Sequence, residues 1–376
     1  MRHPGGGMKL AAETLCTECP HFAMSATFDR STDSRAGGHP GRQGIFRVTA
    51  AHDADEHASN LSRWNQTYDQ LSPGSFTGEV RELWLPHAQV FIERTNRSLR
   101  QSCMAWPDAM WFGVPLPSVQ APATVGGMAI KPTAIAVRPG GTEFELRTPE
   151  DFGIFGIVVE TAEFARYMEE VEHRDPASVL GQREVLSVQP WARARLCRAL
   201  MEILSEAAGH HAARAGVTGI AADKVDSALF CGDLQERLLG SLVTLLMASS
   251  DSAQRPSVTH INRQRTVQRI RDYLLAHTAD AITVPDLCRH FHLSRRALQY
   301  CFEDVAGMSP AAYLRALRLN GVRRDLKSGA AHSTVSDVAG AWGFHHLSQF
   351  AQDYRRMFGE LPSAALRGPA GHGGPN

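Results

Sequence analysis

The segment LSRRALQYCFEDVAG, from Leu293 to Gly307, puts its hydrogen-bonding residues on one side. Leu298 and Phe302 lie four apart and share a helical face, which leaves Arg295, Arg296 and Gln299 on the opposite one. The segment HHLSQFAQDYRRMFG, from His345 to Gly359, repeats the arrangement. There Phe350 and Tyr354 share the inner face, and Ser348, Gln349 and Gln352 take the outer one. His345 and His346 precede them, and Arg355 and Arg356 follow. Arginine, glutamine, serine and histidine can hydrogen-bond base edges in a major groove, and arginines further along such a helix suit phosphates. One such side chain alone is usually just solvated surface. Two matched sets in one chain point to a nucleic-acid partner.

The elements that position these residues also repeat. Asp286-Leu287-Cys288 and Asp337-Val338-Ala339 each open a short helix with a small third residue that permits close helix crossing. Turns are predicted at Phe291–Leu293 and Gly343–His345, and the second copy of the repeat is one residue longer through the turn. Gly343 supplies a permissive backbone, whereas His292 tolerates a left-handed conformation less easily. Ser294 is a good N-cap. Gly307 and Gly359 close the second helices, and Pro310 and Pro362 follow three residues on. The two units are joined by SPAAYLRALRLNGVRRDLKSG, with Ser309 as cap and Pro310 in the first turn. Its roughly 19 helical residues would span about 28 Å, close to the ~34 Å of one DNA turn.

Upstream, the runs FTGEVRELWL, AQVFIER, AMWFGVPL, TAIAVRPGG and DFGIFGIVVE read as short strands of a small barrel or sandwich, with a short helix at Asn60–Leu71 leading in. Helices follow from Glu160, from Pro190 to Gly216, and over VDSALFCGDLQERLLGSLVTLLMAS. Leu196, Leu200, Ile203 and Leu204 recur at helical spacing, as do Leu229, Leu234, Leu238, Leu242 and Leu245. These faces suit either a core or a dimer seam. The resulting division is 1–45 poorly ordered, 46–250 a strand-then-helix domain, 251–262 a linker, 263–367 the helical repeat, and 368–376 a tail.

The chain of 376 residues carries equal numbers of acids and bases, but unevenly: residues 260–367 hold a net +6 and the remainder −6. A basic end suits a polyanion. No apolar run is long enough for a membrane span, and the N-terminus lacks the core of a signal peptide, so a cytoplasmic location is expected. Seven scattered cysteines suggest reduced thiols. The Cys16/Cys19 pair has no second pair to complete a zinc site. No cofactor or metal is expected.

From about residue 267 to 367 the chain resembles the DNA-binding domain of AraC/XylS-family transcription regulators. LSRRALQYCFEDVAGMSPAAYLRALRL, VSDVAGAWGFHHLSQFAQDYRRMFGELPS and their order carry the likeness. LQYCF, YLRALRLNGVRR, QSCMAWPDAMWFGVP and RPGGTEFEL are similar to the branch that includes ethanolamine-utilisation regulators. The likeness implies an α+β chain: a cupin-like β-barrel sensor with a helical dimerisation segment, then an all-α domain with two helix-turn-helix motifs. It implies a sequence-specific activator of a catabolic operon, with partners in an operator duplex, RNA polymerase, a small effector and a second copy of the chain. Base readout would fall to Arg296, Gln299 and Tyr300, and to His346, Ser348, Gln349 and Gln352. Arg295, Arg355 and Arg356 would make phosphate or mixed contacts. The chain departs from the family pattern at His292, where a glycine is usual, and at Gln352, where an arginine is common, so no operator sequence can be carried over.

For the effector, Trp64, Trp106, Trp111 and Phe112 are candidate walls and Glu93 or Glu143 candidate counter-ions, a set suited to an amine; the resemblance implies a small amine or amino alcohol. The same residues also suit an ordinary core with surface glutamates. Two other readings stand beside this one. A metal-dependent cupin-type enzyme would need clustered histidines, and the strand region offers only His87. An architectural DNA-binding protein would have no effector.

Overall fold

A computed structural model describes residues 45–117, 121–180, 183–214, 222–250, 257–328 and 334–367. The Cys16/Cys19 pair, Gly329, most of the expected N-terminal segment, the first half of the expected linker and the tail lie outside the described residues.

The first half is strands: β1 (Ile45–Ala51), β2 (Asn65–Gln70), β3 (Gly78–Trp84), β4 (Ala88–Thr95), β5 (Leu99–Met104), β6 (Ala109–Pro115), β7 (Thr124–Val125), β8 (Met128–Ala129), β9 (Ala134–Pro139), β10 (Phe144–Thr148) and β11 (Phe152–Glu160), with α1 (Ala54–Ala58) after β1. Next come α2 (Thr161–Val171), α3 (Pro176–Leu180), β12 (Val185–Val188), α4 (Pro190–Arg214), α5 (Ala222–Met247) and β13 (Ser249–Ser250). Two sheets form, ordered β1-β3-β4-β11-β6-β9-β12-β13 and β2-β5-β10-β7-β8, with every pairing antiparallel. Neither closes on itself, so the architecture is two facing sheets rather than the closed barrel expected from the resemblance.

Strand alternation sorts the side chains into two cores. On β11, Phe155, Ile157 and Val159 join the leucines of α4 and α5, whereas Ile154 and Val158 face the second sheet. On β6, Phe112 and Val114 go to the helical side and Trp111 to the inter-sheet side. Gly156 has to be glycine, because a Cβ there would lie 2.0 Å from the Phe91 ring, which crosses β11.

Leu196, Leu200, Ile203, Leu234, Leu238, Leu242 and Leu245 are all buried within the single chain, where α4 packs on α5. They are core and not a dimer seam; only Leu229 of that set is exposed. The helix expected at Asn60–Leu71 is also overturned. The helical residues are Ala54–Ala58, held by the Asp53 side chain accepting from the amides of Asp55 and Glu56, and 65–70 are strand β2.

The C-terminal part contains α6 (Val258–Ala276), α7 (Val284–His290), α8 (Arg295–Ala306), α9 (Pro310–Ser328), α10 (Val335–Ala341), α11 (Leu347–Phe358) and α12 (Pro362–Arg367). Helix α6 starts within the stretch expected to be linker. α9 serves two cores: Tyr313, Leu314 and Leu317 pack with α6 and α8, and Ala316, Leu319, Val322 and Leu326 pack with α10 and α11. Gly321 in its middle accommodates the Trp342 ring, which a Cβ would approach to 2.2 Å.

Candidate nucleic-acid interface and the pocket behind it

Each helix-turn-helix is built by the same local chemistry. Thr283 and Asp286 form a capping box ahead of α7, and Thr334 and Asp337 form another ahead of α10. The threonine hydroxyls and amides donate to the aspartates, which hold both carboxyls below their usual pKa. The turns then need a left-handed residue. His292 adopts φ 53° and Gly343 φ 74°, so the histidine takes the conformation that a glycine would take more easily. Ser294 caps α8 by accepting from the Ala297 amide.

Leu298, Phe302, Phe350 and Tyr354 are buried, and the opposite faces are open. Arg295, Arg296 and Tyr300 are exposed on α8, with Gln299 half-buried. His345 and His346, just ahead of α11, are exposed, as are Ser348, Gln349, Gln352, Arg355 and Arg356 on it. Arg296 is not loose: its guanidinium donates to the Tyr300 hydroxyl at 2.9 Å and lies over the Tyr300 ring. Gln299 donates to Glu303 and Gln349 to Asp353 one turn on. Arg356 sits 3.3 Å from Asp353 with most of its side chain in solvent. Both groups of candidate residues therefore come together on open helix faces.

The effector candidates divide. Trp64, Glu93 and Trp111 line one cavity between the sheets, with Tyr68, Gln101 and Phe144. Trp111 stacks on Phe144 at 4.8 Å, and Trp64 stands edge-on to Trp111 and Phe91. Glu93 is 4% exposed and accepts from the Tyr68 hydroxyl at 3.0 Å. His57 Nε2 lies 3.0 Å from the same oxygen, at ion-pair distance without a hydrogen bond. Burial, with the Glu93 charge beside it, pushes the Tyr68 hydroxyl well above its usual pKa. The Nε1 of Trp111 and Nε2 of Gln101 are buried donors with no partner. About 10 Å³ is open in the cavity, room for a single water.

Three expected lining residues are elsewhere. Phe112 follows Trp111 on β6 and so points into the helical core. Trp106 packs against Trp84 beneath the Arg63 guanidinium, at 5.0 Å, so its face already carries a cation. Glu143 is exposed and accepts from Ser102. Tyr68 and His57 were missed because β2 and α1 show no apolar period that would have placed them, and Gln101 of β5 was missed with them.

A second missed set ties the sheets to the helix-turn-helix units. Arg323 of α9 pairs with Asp53, and Lys327 lies 3.0 Å from Asp53. Arg324 pairs with Asp55 at 2.9 Å and with Asp69. Asn320 and the Gln70 backbone exchange two hydrogen bonds, at 2.9 and 3.0 Å. The Gln70 side chain donates to the Met357 carbonyl at 2.8 Å, the Gly74 amide to the Arg356 and Met357 carbonyls, and Arg147 to the Val305 and Ala306 carbonyls. The sheet domain therefore caps the C-terminal ends of both α8 and α11, where helix carbonyls lack partners. Part of the basic excess after residue 260 is consumed inside the molecule.

Burial alone would raise the pKa of Asp53, but Arg323 and Lys327 reverse this and hold it at about 2, against an ordinary 3.8. Burial raises that of Asp55, more than Arg324 lowers it. A depressed carboxylate stabilises the folded contact fully above its ordinary pKa and loses that stabilisation as it protonates. The Asp53 contact should therefore weaken as pH falls from 3.8 to about 2. Asp53→Asn should remove that acid-dependent step, read as interdomain separation by small-angle scattering.

Residues 287–368 match the family model described as "Helix-turn-helix domain". The chain is 37% identical over 97 residues to the "Probable thc operon regulatory protein" of Rhodococcus erythropolis, covering 26% of this chain and 29% of that protein. It is 31% identical over 153 residues to the "XylDLEGF operon transcriptional activator" of Pseudomonas putida, covering 40% and 46%. Among solved structures, a "probable AraC family transcriptional regulator" from Rhodopseudomonas palustris is 35% identical over 27% of this chain and 95% of that one, with a TM-score of 0.26. Residues 287–368 form a helix-turn-helix domain. The matched stretches span less than half the length of the two curated relatives, and these relatives are transcription regulators by name. Among the described residues no helix is long and apolar enough to cross a membrane.

Proposed function

We propose that this protein is a sequence-specific DNA-binding regulator, an activator of a catabolic operon, whose sheet domain senses a small amine or amino alcohol. The observation that carries the DNA part is the pair of open polar faces, α8 and α11, on two helix-turn-helix units that share the core helix α9. In this reading Arg296 with Tyr300, Gln299, His346, Ser348, Gln349 and Gln352 meet base edges, and Arg295, His345, Arg355 and Arg356 lie nearer phosphates. An enzyme reading draws no support from relatives named as regulators. RNA polymerase and a second copy of the chain complete the partners. A contact between copies would use residues left outside, such as Trp191, Met201 and Leu229, because the other leucines are occupied.

The effector reading rests on Glu93, a buried carboxylate among aromatic rings, with two unpartnered donors, Trp111 Nε1 and Gln101 Nε2, beside it. A cation suits the carboxylate and rings, and a hydroxyl oxygen suits the donors. One experiment addresses each half. The full chain should shift duplexes from its own or neighbouring promoters, with affinity falling steeply as salt rises; salt-insensitive or absent binding overturns the DNA reading. In a thermal-shift series, 2-aminoethanol at about 100 times its Kd should add about 2.7 kcal/mol of stability. Ethylene glycol should add far less, and Glu93→Gln should abolish the difference.

A further inference from the structure

Trp84, the last residue of β3, and Trp106, in the loop after β5, form a notch away from the Glu93 cavity. Their ring centres are 6.0 Å apart and their planes 35° from parallel. The guanidinium of Arg63, in the loop before β2, lies over both rings, 5.3 and 5.0 Å from their centres. Both distances fall within the ~6 Å reach of a cation–π contact. Arg323 also lies over two rings, but it pairs with Asp53 and Glu360 as well. Among the described residues no carboxylate is at ion-pair distance from Arg63, so the two ring faces answer its charge.

The walls of the notch are fixed. Glu82, 1% exposed, accepts from the Ser62 amide and hydroxyl, from Trp84 Nε1 at 3.1 Å, from Gln89 and from Arg47. It therefore holds one wall and the residue before Arg63 together. Its roughly four lone-pair sites are all taken, which leaves none for a ligand. The Trp106 loop is held on either side, by the Gly141 amide on the Ala105 carbonyl and the Gly140 amide on the Ala109 carbonyl. Trp106 Nε1 is buried with no partner. A phenylalanine there would avoid that cost but offer a weaker ring face. Arg63 itself is exposed and takes φ 62°, a conformation that residues other than glycine rarely adopt. It is the member of the set that can leave.

The chemistry of this notch differs from that of the Glu93 cavity, which neither ring lines. A primary ammonium brings N–H donors that need acceptors, and two indole faces supply none. A methylated ammonium has no such need and binds ring faces through its spread charge. Arg63, with its weakly hydrated guanidinium, stands where that group would sit. We propose that the Trp84–Trp106 notch is a second cation site, for a methylated ammonium group, and that Arg63 fills it as an internal competitor until the ligand displaces it. The proposal is independent of the effector reading at Glu93.

The test is calorimetry on the full chain with tetramethylammonium chloride as probe. The unaltered chain should bind it weakly. Arg63→Ala should bind it about tenfold more tightly, the worth of the two ring contacts that Arg63 otherwise holds. Ammonium chloride should gain nothing from the same change. Adding Trp84→Phe or Trp106→Phe to Arg63→Ala should weaken the probe at least about threefold, since the indole is the better ring face. Equal affinity of the unaltered chain and Arg63→Ala, or binding to neither, overturns the proposal. Affinity undiminished by both phenylalanine variants would put the probe elsewhere and overturn it too. Sodium acetate that binds the unaltered chain but not Arg63→Ala would make Arg63 an anion site instead, and the cation reading would fall. The response of the Glu93 cavity to 2-aminoethanol bears on none of these results.

Discussion

Phe350→Ala should destabilise the second helix-turn-helix by about 3–5 kcal/mol, the usual cost of emptying a buried aromatic site. Phe350 is 2% exposed, with Phe344 at 5.0 Å and Tyr354 at 5.8 Å between ring centres. It seats α11 on α9 together with Tyr354, Met357 and Phe358 of the same core. Against a typical domain stability of about 5–15 kcal/mol, the loss takes a large share. Specific DNA binding should vanish with it. The two cores of the sheet domain contain no residue of α11, so their unfolding transition should survive in a calorimetric trace. Gln349→Ala, one residue away on the open face, should change stability by no more than about 0.5 kcal/mol. Equal destabilisation by the two variants would show that α11 is not held as described.

The second large effect separates two arginines. Arg296 lies in the first turn of α8 and is braced by the Tyr300 hydroxyl and ring. If it reads a base, Arg296→Ala should cost about 1–3 kcal/mol on the operator and little on a scrambled duplex. Arg356 lies at the far end of α11, mostly in solvent and near Asp353. Losing a phosphate contact there should weaken both duplexes alike and reduce the salt slope by about 1. Neither side chain belongs to the apolar cores, so both variants should fold. Equal weakening of the two duplexes by Arg296→Ala would remove it from base readout. Loss of discrimination in Arg356→Ala would mean that α11 lies deeper in the groove than proposed.

How much was legible in the chain differs between its two halves. The helix-turn-helix repeat was readable because each signal is local. Ser294, Gly307 and Gly359 act on their own turns, and the pairs Leu298/Phe302 and Phe350/Tyr354 mark an inner face by spacing alone. The polar outer faces followed from those inner ones. The sheet domain was readable only as strands. Its β4 and β11 are buried on both faces, so their side-chain destinations depend on register, and the order β1-β3-β4-β11-β6-β9 joins strands distant in sequence.

Three features were decided by tertiary structure alone. Strand β2 was misread as helix because NQTYDQ buries Tyr68, Asp69 and Gln70 together, and a strand that buries polar residues shows no apolar alternation. Trp111 and Phe112, adjacent in sequence and alike in chemistry, went to opposite cores because successive strand residues face opposite ways, and which face meets Glu93 depends on packing of the two sheets. The clamp joins Asp53, Asp55, Asp69 and Gln70 to Asn320, Arg323, Arg324 and Lys327 across some 250 residues. Charges alone are compatible with many partners. Only a surface that brings acids and bases within hydrogen-bond reach, and keeps water from competing, selects one. The sequence determined which helices present polar faces; the packing of two sheets against α9 determined which acids hold those helices and which carboxylate they enclose.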